Sequence, residues 1–285
     1  MPESVFPPHA VVRRVNAEPP ISTGAGRALL LQLAHPAVAQ GVADHSEFKA
    51  NPFKRLQGTL EAMYVVVFGP RDLAEGVGRR IRWIHEFVVG PSYAANDPAN
   101  LLWVHATLVD TAMRCHDEML RPLRPAEAET YYQEMTRVAT FFGLARDDQP
   151  ATLAEFRSYF SDTVRSLHFT DTGRDLARFI VRPELPLDLH VPLAPVVALH
   201  RLVTLGLTPA HLRDELGLRW GPREQRRFEA ATGSLRRVFR STPRLVRTLP
   251  TLAQGPLLIR QARRHVAAFD ARQAQRVTQA ARRST

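Results

Sequence analysis

Apolar residues in this chain recur at spacings of three and four, and prolines and glycines cut the recurrence into pieces of helical length. Between residues 53 and 68 the stripe is Leu56, Leu60, Met63 and Val67, and Gly69-Pro70 stops it. The next helix is expected over residues 71–89. Its stripe is Val77, Ile81, His85 and Val88, which places His85 on the buried side, and Gly90-Pro91 closes it. Asp97-Pro98 combines an N-cap with proline at the first helical position, a strong helix start. From there Leu101, His105, Leu108, Ala112, Cys115 and Met119 share a face to about Leu120.

Further helices are expected near 125–143, 152–166, 171–181, 195–204, 208–217 and 222–240. Thr152 precedes Glu155 at capping-box spacing, and Thr208-Pro209 reads as N-cap and first helical residue. A helix that begins after the glycines of STGAGRALLLQLAHPAVAQ should break at Pro36, directly after His35. VRPELPLDLHVPLAP reads as a loop crossing the surface. There is no internal repeat, no sustained heptad and no hairpin signal, so the expected class is all-α. Three regions are expected: a Pro-rich, irregular N-terminal arm (1–22), a helical core (23–218) and an Arg-rich helical region packed on it (219–285).

The charge is unevenly distributed. Residues 219–285 hold sixteen arginines and three acids, a net of +13 against +10 for the whole chain, so the first 218 residues carry about −3. Lys49 and Lys54 are the only lysines, a skew that a GC-rich genome alone can produce. With 45% hydrophobic residues the chain can bury a large core. A single cysteine, Cys115, excludes an internal disulfide and a Cys-based zinc site. No apolar run reaches 18 residues, and the N-terminus lacks a secretory signal's apolar stretch, so the expectation is a cytoplasmic protein.

His85 has no partner ligand at metal-site spacing. Such a lone imidazole is satisfied either by a buried hydrogen bond or by one large cofactor, and spacing leaves both open. His35, His45 and His105 are the other histidines of interest, with His105 the main rival as a ligand. Asp110 reads as the buried partner of an arginine or as a hydrogen-bond acceptor for a histidine. No histidine has Glu three residues before it, as a di-iron site would need, and Val89 stands where a His-Glu-x-x-His motif needs its second histidine. No phosphate-binding glycine loop and no Gly-x-Ser-x-Gly is present.

GRALLLQLAHPAVAQGVADHSEF, RLQGT, MYVVVFGP, RRIRWIHEFVVG and LLWVHATLVDT together resemble the family of the bacterial latex-clearing protein (rubber oxygenase) and the fungal oxygenase of mycophenolic acid biosynthesis. The resemblance covers residues 20–120 and reaches more loosely to LGLTPAHLRDELGLRW. Its best-studied members bind haem b through one helical histidine. The resemblance implies His85 as axial iron ligand and Arg55 and Thr59 as distal groups one helical turn apart; His105, on the inward stripe of its helix, then lines the cofactor pocket or satisfies a buried polar group. It further implies a globin-like helical domain around a haem pocket, oxidising an apolar small molecule with O₂ or a peroxide. No C-x-x-C-H run exists, so the haem would not be covalently attached. Some members carry a lysine just before the threonine that can take the sixth iron position; here Gly58 stands there. The place of a distal glutamate falls near Ala39 and Gln40, with Asp44 and Glu47 the nearest acids, so polyisoprene is not the expected substrate.

The competing reading is a binding module without cofactor. LTPAHLRDELGLRW can pass for a helix-turn-helix fragment, with the arginines after it contacting phosphates. Arg236, Arg237, Arg240, Arg244 and Arg247 interleave with apolar residues, which suits an anionic membrane surface equally well. A solvated face is the plainest account of that pattern.

Overall fold

The computed structural model describes residues 3–45, 52–182 and 187–283, and the side chains of all of these except 52–56, 187–193 and 280–283. Its interior is organised around α7 (Pro98–Met119), whose start is set as the sequence leads one to expect. Asp97 Oδ1 accepts from the Ala99 N–H at 2.8 Å, and Pro98 fills the first helical position. Trp103, Ala106, Val109, Ala112 and Cys115 are buried on α7, but so are the polar His105, Thr107, Thr111 and His116. A helix sunk this far needs hydrogen-bond partners for its polar side chains.

Neighbouring helices supply them. α2 (Pro19–Thr23), α3 (Ala25–Leu33), α8 (Pro125–Phe141) and α13 (Pro222–Ser241) pack around α7. Arg27 of α3 is only 5% exposed. Its terminal nitrogens donate to Asp110 Oδ2 and Thr111 Oγ1 of α7, both at 2.6 Å. Its Nε donates at 2.8 Å to the carbonyl of Leu207, the last residue of α11 (Leu187–Leu207). Beside it Gln32 donates to Thr107 Oγ1 at 2.9 Å and the Trp103 indole to the Leu31 carbonyl at 3.2 Å. At Gly24 a Cβ would sit 2.5 Å from Cys115 Sγ, so glycine permits the close approach of α2 and α3 to α7. Of the two readings of Asp110, the arginine pair is the one observed.

The remaining helices wrap this centre. α4 (Pro36–His45) follows α3 after the break at Pro36, and α10 (Asp171–Val181) packs on both. α5 (Pro52–Phe68) and α6 (Arg71–His85) form a helical hairpin, with Gly69 N–H donating to the Val65 carbonyl where the chain turns. α9 (Leu153–Ser166) begins at Thr152, whose hydroxyl accepts from Glu155 N–H. The short α12 (Ala210–Glu215) precedes α13, and α14 (Arg244–Ala253) and α15 (Gly255–Arg283) follow it. α15 lies along α5 and α6, where His265 Nδ1 is 2.9 Å from the buried Glu61 carboxylate and Val266 sits against Gly76. The two-residue strands β1 (Val89–Gly90) and β2 (Tyr93–Ala94) pair antiparallel. The chain is a single all-α domain.

Three local expectations fail, each for an identifiable reason. Residues expected to be an irregular arm carry α1 (Val11–Asn16) and α2, and Phe6, Val12 and Val15 are fully buried. Proline density misleads there, because Pro19 and Pro20 occupy the first turn of α2, where the missing N–H costs nothing. The stretch expected as a surface loop lies partly outside the described residues (183–186), and from Leu187 it is helical through Pro192 and Pro195. Burial of Val203, Leu205 and Leu207 drives that helix, which propagates back through prolines near its start. Thr208 is not an N-cap: its hydroxyl donates to the Thr204 carbonyl of α11 at 2.7 Å.

Two stability predictions follow from these ties. Asp110→Ala leaves the Arg27 guanidinium buried without its countercharge and should cost about 2–4 kcal/mol in chemical unfolding, the low side reflecting the partial exposure of Asp110. Asp110→Asn, which keeps an acceptor, should cost clearly less. If the two variants lose equal stability, the charge is not what matters.

Glu127, at the start of α8, accepts from Arg124, Arg121 and, at 2.7 Å, Arg14 of α1. The Arg124 hydrogen bond, followed by that of Arg121, holds its carboxyl well below the usual carboxylate range. A depressed acid stabilises the fold fully above its unfolded pKa, about 4.3, and loses that contribution as pH falls below it. Glu127→Gln should therefore lower the urea midpoint at pH 7 and flatten its decline between about pH 4 and pH 2. Parallel acid limbs for the two proteins would exclude this role.

Candidate functional site

A two-residue connection makes α5 and α6 run antiparallel, so residues equally far from the turn lie side by side. His85 is fourteen residues after Arg71 and Lys54 fourteen before Phe68, which sets them at one level. Arg55 is then one residue away along the axis, and Thr59 about 7–8 Å up it, at about 1.5 Å per residue. The backbone thus puts Arg55 and His85 at the open end of the hairpin and Thr59 near the middle of α5. The Arg55 side chain lies outside the described residues; Thr59 is on the exposed face of α5 with Gln57, Gly58 and Leu60.

At that end α6 stops at His85, four residues earlier than the periodicity suggests. Val88 N–H still reaches the His85 carbonyl, but Ala95 N–H then takes the Val88 carbonyl at 2.9 Å and the chain enters the β1–β2 hairpin. Pro91 in the turn and Tyr93 beyond it select this alternative. The Tyr93 hydroxyl donates to Asp44 Oδ2 at 2.7 Å, while His45 stacks edge-on against the Tyr93 ring, with its Nε2 3.2 Å from the Val89 carbonyl. Burial and the Asp44 carboxylate push the Tyr93 phenol up to about 12, so it stays a donor across the working pH range. The hairpin is thereby clamped to the end of α4. Asn96 adds a second hydrogen bond to the Arg82 carbonyl, which also accepts from Glu86 N–H in the last turn of α6.

His85 itself is half-buried. Beside it in the chain Ile84, Phe87 and Val89 are 37%, 55% and 52% exposed, and Leu60 of α5 is 43% exposed; the Phe87 ring sits edge-on to Trp83 at 4.8 Å. Large apolar side chains gathered at one end of a helical hairpin mark a surface made to be covered. The other side of α6 at this level is already covered, since Trp83 packs on Phe269 of α15 and lies under the Arg276 guanidinium.

His105 and His35 lie deeper. His105, 8% exposed on α7, is pushed down to about 4 by burial, against a backbone hydrogen bond at Met135, so it is neutral at pH 7. Its Nε2 is buried with no hydrogen-bond partner among the described residues. His35 is also lowered by burial; its ring stacks on Trp103 at 6.3 Å, and its Nδ1 does not find the freed carbonyl expected beside Pro36. Among the described residues no three His, Cys, Asp or Glu side chains converge, an arrangement that a haem held by one imidazole does not need.

The recognition helix required by a helix-turn-helix reading would be α12, which has six residues and whose Leu212, with the adjacent Leu216, is buried. Glu215 at its end is spent on His168 and the Phe169 N–H. Leu212 and the contacts of Glu215 tie this segment to the core, which suits it poorly to enter a groove of DNA. The sequence reading missed Tyr93 and Asn96, and named Asp44 as a nearby acid without its partner Tyr93. The signal available for them was Gly90-Pro91 followed two residues later by an aromatic, which marks a turn as readily as a helix end.

Residues 12–237 match the family model described as the catalytic domain of the ER-bound oxygenase mpaB/B′ and rubber oxygenase. Among curated proteins, the uncharacterized Mb2261 of Mycobacterium bovis and Rv2237 of Mycobacterium tuberculosis are each 28% identical over 225 residues, covering 75% of this chain and 87% of theirs. No solved structure matches.

The Tyr93 clamp is testable without any ligand. Tyr93→Phe removes a hydrogen bond to a carboxylate and should cost about 1–2 kcal/mol. Amide exchange should accelerate over residues 88–95 while the core of α7 is unchanged. Unaltered exchange over the hairpin would show that the phenol does not hold it.

Proposed function

Because the chain belongs to the mpaB/rubber oxygenase catalytic-domain family, we propose that it is a haem b-dependent oxygenase acting on an apolar small molecule with O₂ or a peroxide. Membership itself makes it an oxygenase-like catalytic domain. The finer reading rests on one observation: His85 ends α6 beside a collar of exposed apolar side chains, level with Arg55 to within one residue and about 7–8 Å along the axis from Thr59. The residues fit the group. Haem needs one imidazole on the iron and apolar contacts for the porphyrin, and the collar of Leu60, Ile84, Phe87 and Val89 offers such contacts.

Haem b, when bound, supplies a redox-active iron at which O₂ or a peroxide can be activated. In this reading His85 would hold the iron through its imidazole, and termination of α6 there leaves its ring at a helix end rather than packed between turns. The Tyr93–Asp44 clamp fixes the backbone that follows His85 and so limits the ring's freedom. Arg55 would pair with a haem propionate or offer its positive charge beside the substrate, and Thr59 would offer a hydroxyl hydrogen bond. His105, neutral and with an unsatisfied Nε2, forms part of the pocket wall. Gly58, where a Cβ would meet nothing within 4 Å, has no side chain to occupy the sixth position, so the distal side stays open to ligands. The collar excludes water from an apolar substrate.

The test is spectroscopic. Protein from haem-supplemented cells should show a Soret band, a b-type pyridine haemochrome and ready binding of cyanide. Haemin should raise the Tm of the apo protein. His85→Ala should abolish the Soret band and the haemin-induced Tm shift, whereas His105→Ala should keep a Soret band. A folded wild-type protein that takes up no haemin sinks the reading; loss of haem on His105→Ala but not on His85→Ala reassigns the axial ligand.

A further inference from the structure

α14 is inverted relative to a helix that packs by its apolar face. At about 100° per residue, Leu245, Leu249 and Leu252 fall within an arc of about 60°, with Val246 beside it; Arg247 lies opposite, and Thr251 and Thr248 on the flank between them. The polar side faces inward. Arg247 donates to both carboxylate oxygens of Glu18, at 2.6 and 2.9 Å, and Glu18 is only 3% exposed. Arg247 also reaches the carbonyls of Phe239 and Thr242, and Thr248 is buried with its hydroxyl on the Arg244 carbonyl. The apolar side faces outward: Leu245 is 82% exposed, Leu249 57%, Val246 54% and Leu252 41%. Val238 on α13 and Leu257 on α15 continue the exposed patch at 58% and 55%.

Charge says what can cover it. Between Glu229 and Asp270 the chain has eight arginines and no acid. Arg237 and Arg240 are exposed beside Val238, bordering a shallow hollow of about 610 Å³ on the surface of α13. A second copy meeting this face would bring like charges together. A nucleic acid would use the arginines but would leave the leucines in water. An anionic bilayer takes both, with phosphates at the headgroup level and acyl chains below. No helix among the described residues is long and apolar enough to cross a membrane, so the contact would lie in the interface plane. The segment from Arg244 onward also lies beyond the residues that match the family model.

We propose that α14 is an interfacial anchor: its Leu245–Leu249–Leu252 arc enters the acyl boundary of an anionic phospholipid surface, and Arg237 and Arg240 hold headgroup phosphates. The fixed Glu18–Arg247 pair keeps the arc turned outward before contact, so the surface needs no rearrangement to bind.

The experiment uses the full chain and phosphatidylcholine vesicles with and without roughly a third of phosphatidylglycerol, in about 0.15 M salt. Co-sedimentation should favour the anionic vesicles. Leu245→Ser/Leu249→Ser should weaken binding to them roughly tenfold or more. Arg237→Gln/Arg240→Gln should reduce the preference for anionic lipid. All four side chains are solvent-exposed, and matching thermal melts would show that the variants fold. As an independent readout, Leu245→Cys carrying an environment-sensitive fluorophore should shift to the blue on anionic vesicles; Cys115 is buried and escapes labelling. Four outcomes overturn the proposal: no vesicle binding by the wild type, vesicle binding insensitive to the leucine pair, a fluorophore that stays in water, or a vesicle-independent dimer that the leucine substitutions dissolve. Retention of duplex DNA in preference to anionic vesicles would do the same and assign the arginines to nucleic acid.

Discussion

The Arg27 guanidinium is the tie on which the arrangement of the first, middle and later helices depends. It joins α3 to two consecutive residues of α7 and to the end of α11, elements up to 180 positions apart in the chain. A buried cation is tolerated only when its donors are taken up, and here Nε and both terminal nitrogens have acceptors within 2.8 Å. That requirement fixes more than distance. The planar fork demands that Asp110 and Thr111 sit side by side facing α3, which sets the rotation of α7 about its axis. The same rotation sends His105 and Thr107 inward, and Gln32 then satisfies Thr107 from the adjacent turn of α3. Of these inward side chains of α7, His105 keeps a buried nitrogen, Nε2, without a hydrogen-bond partner among the described residues.

Most helices could be read from the sequence because their signals are local. Asp97-Pro98, Thr152 with Glu155 and Gly69-Pro70 act through atoms a few residues apart, and each operates as its chemistry dictates. The failures share a different origin. Residues 1–22 look irregular by composition, yet Val12 N–H finds Glu134 and Phe6 finds the core, contacts that no local rule contains. The helix through Pro192 and Pro195 exists because its later turns bury Val203 and Leu207. Tertiary burial outweighs a local propensity penalty near a helix start.

The candidate site was legible in part and for mixed reasons. Periodicity placed His85 on a stripe but carried the helix four residues too far. The resemblance to a family assigned Arg55, Thr59 and His85 to one place, and the register of the α5–α6 hairpin sets the Arg55 backbone nearly level with His85 and Thr59 about 7–8 Å further along. What could not be read was the enclosure. The phenol of Tyr93 meets the carboxylate of Asp44 across 49 residues, a pairing that depends on where α4 ends in space. Asp110 offers the converse lesson: it sits near histidines in sequence and belongs to an arginine in the fold.

The arginines of the C-terminal region illustrate why a net charge is a poor guide to function. Arg236 donates to the carbonyls of Asp117 and Glu118 at the end of α7, and Arg247 is locked on Glu18; both are structural, and both answer acceptors of the core. Subtracting them leaves Arg237 and Arg240 facing solvent next to exposed valine and leucine. The inward demand of Glu18 is what inverts α14. A buried carboxylate that recruits an arginine from a ten-residue amphipathic helix must turn that helix's apolar side to water, at the cost of exposing several large side chains. A structural ion pair and an exposed apolar surface are therefore one feature seen from two sides. Any change that removes the Glu18 charge should release the rotation of α14 and with it the orientation of the patch.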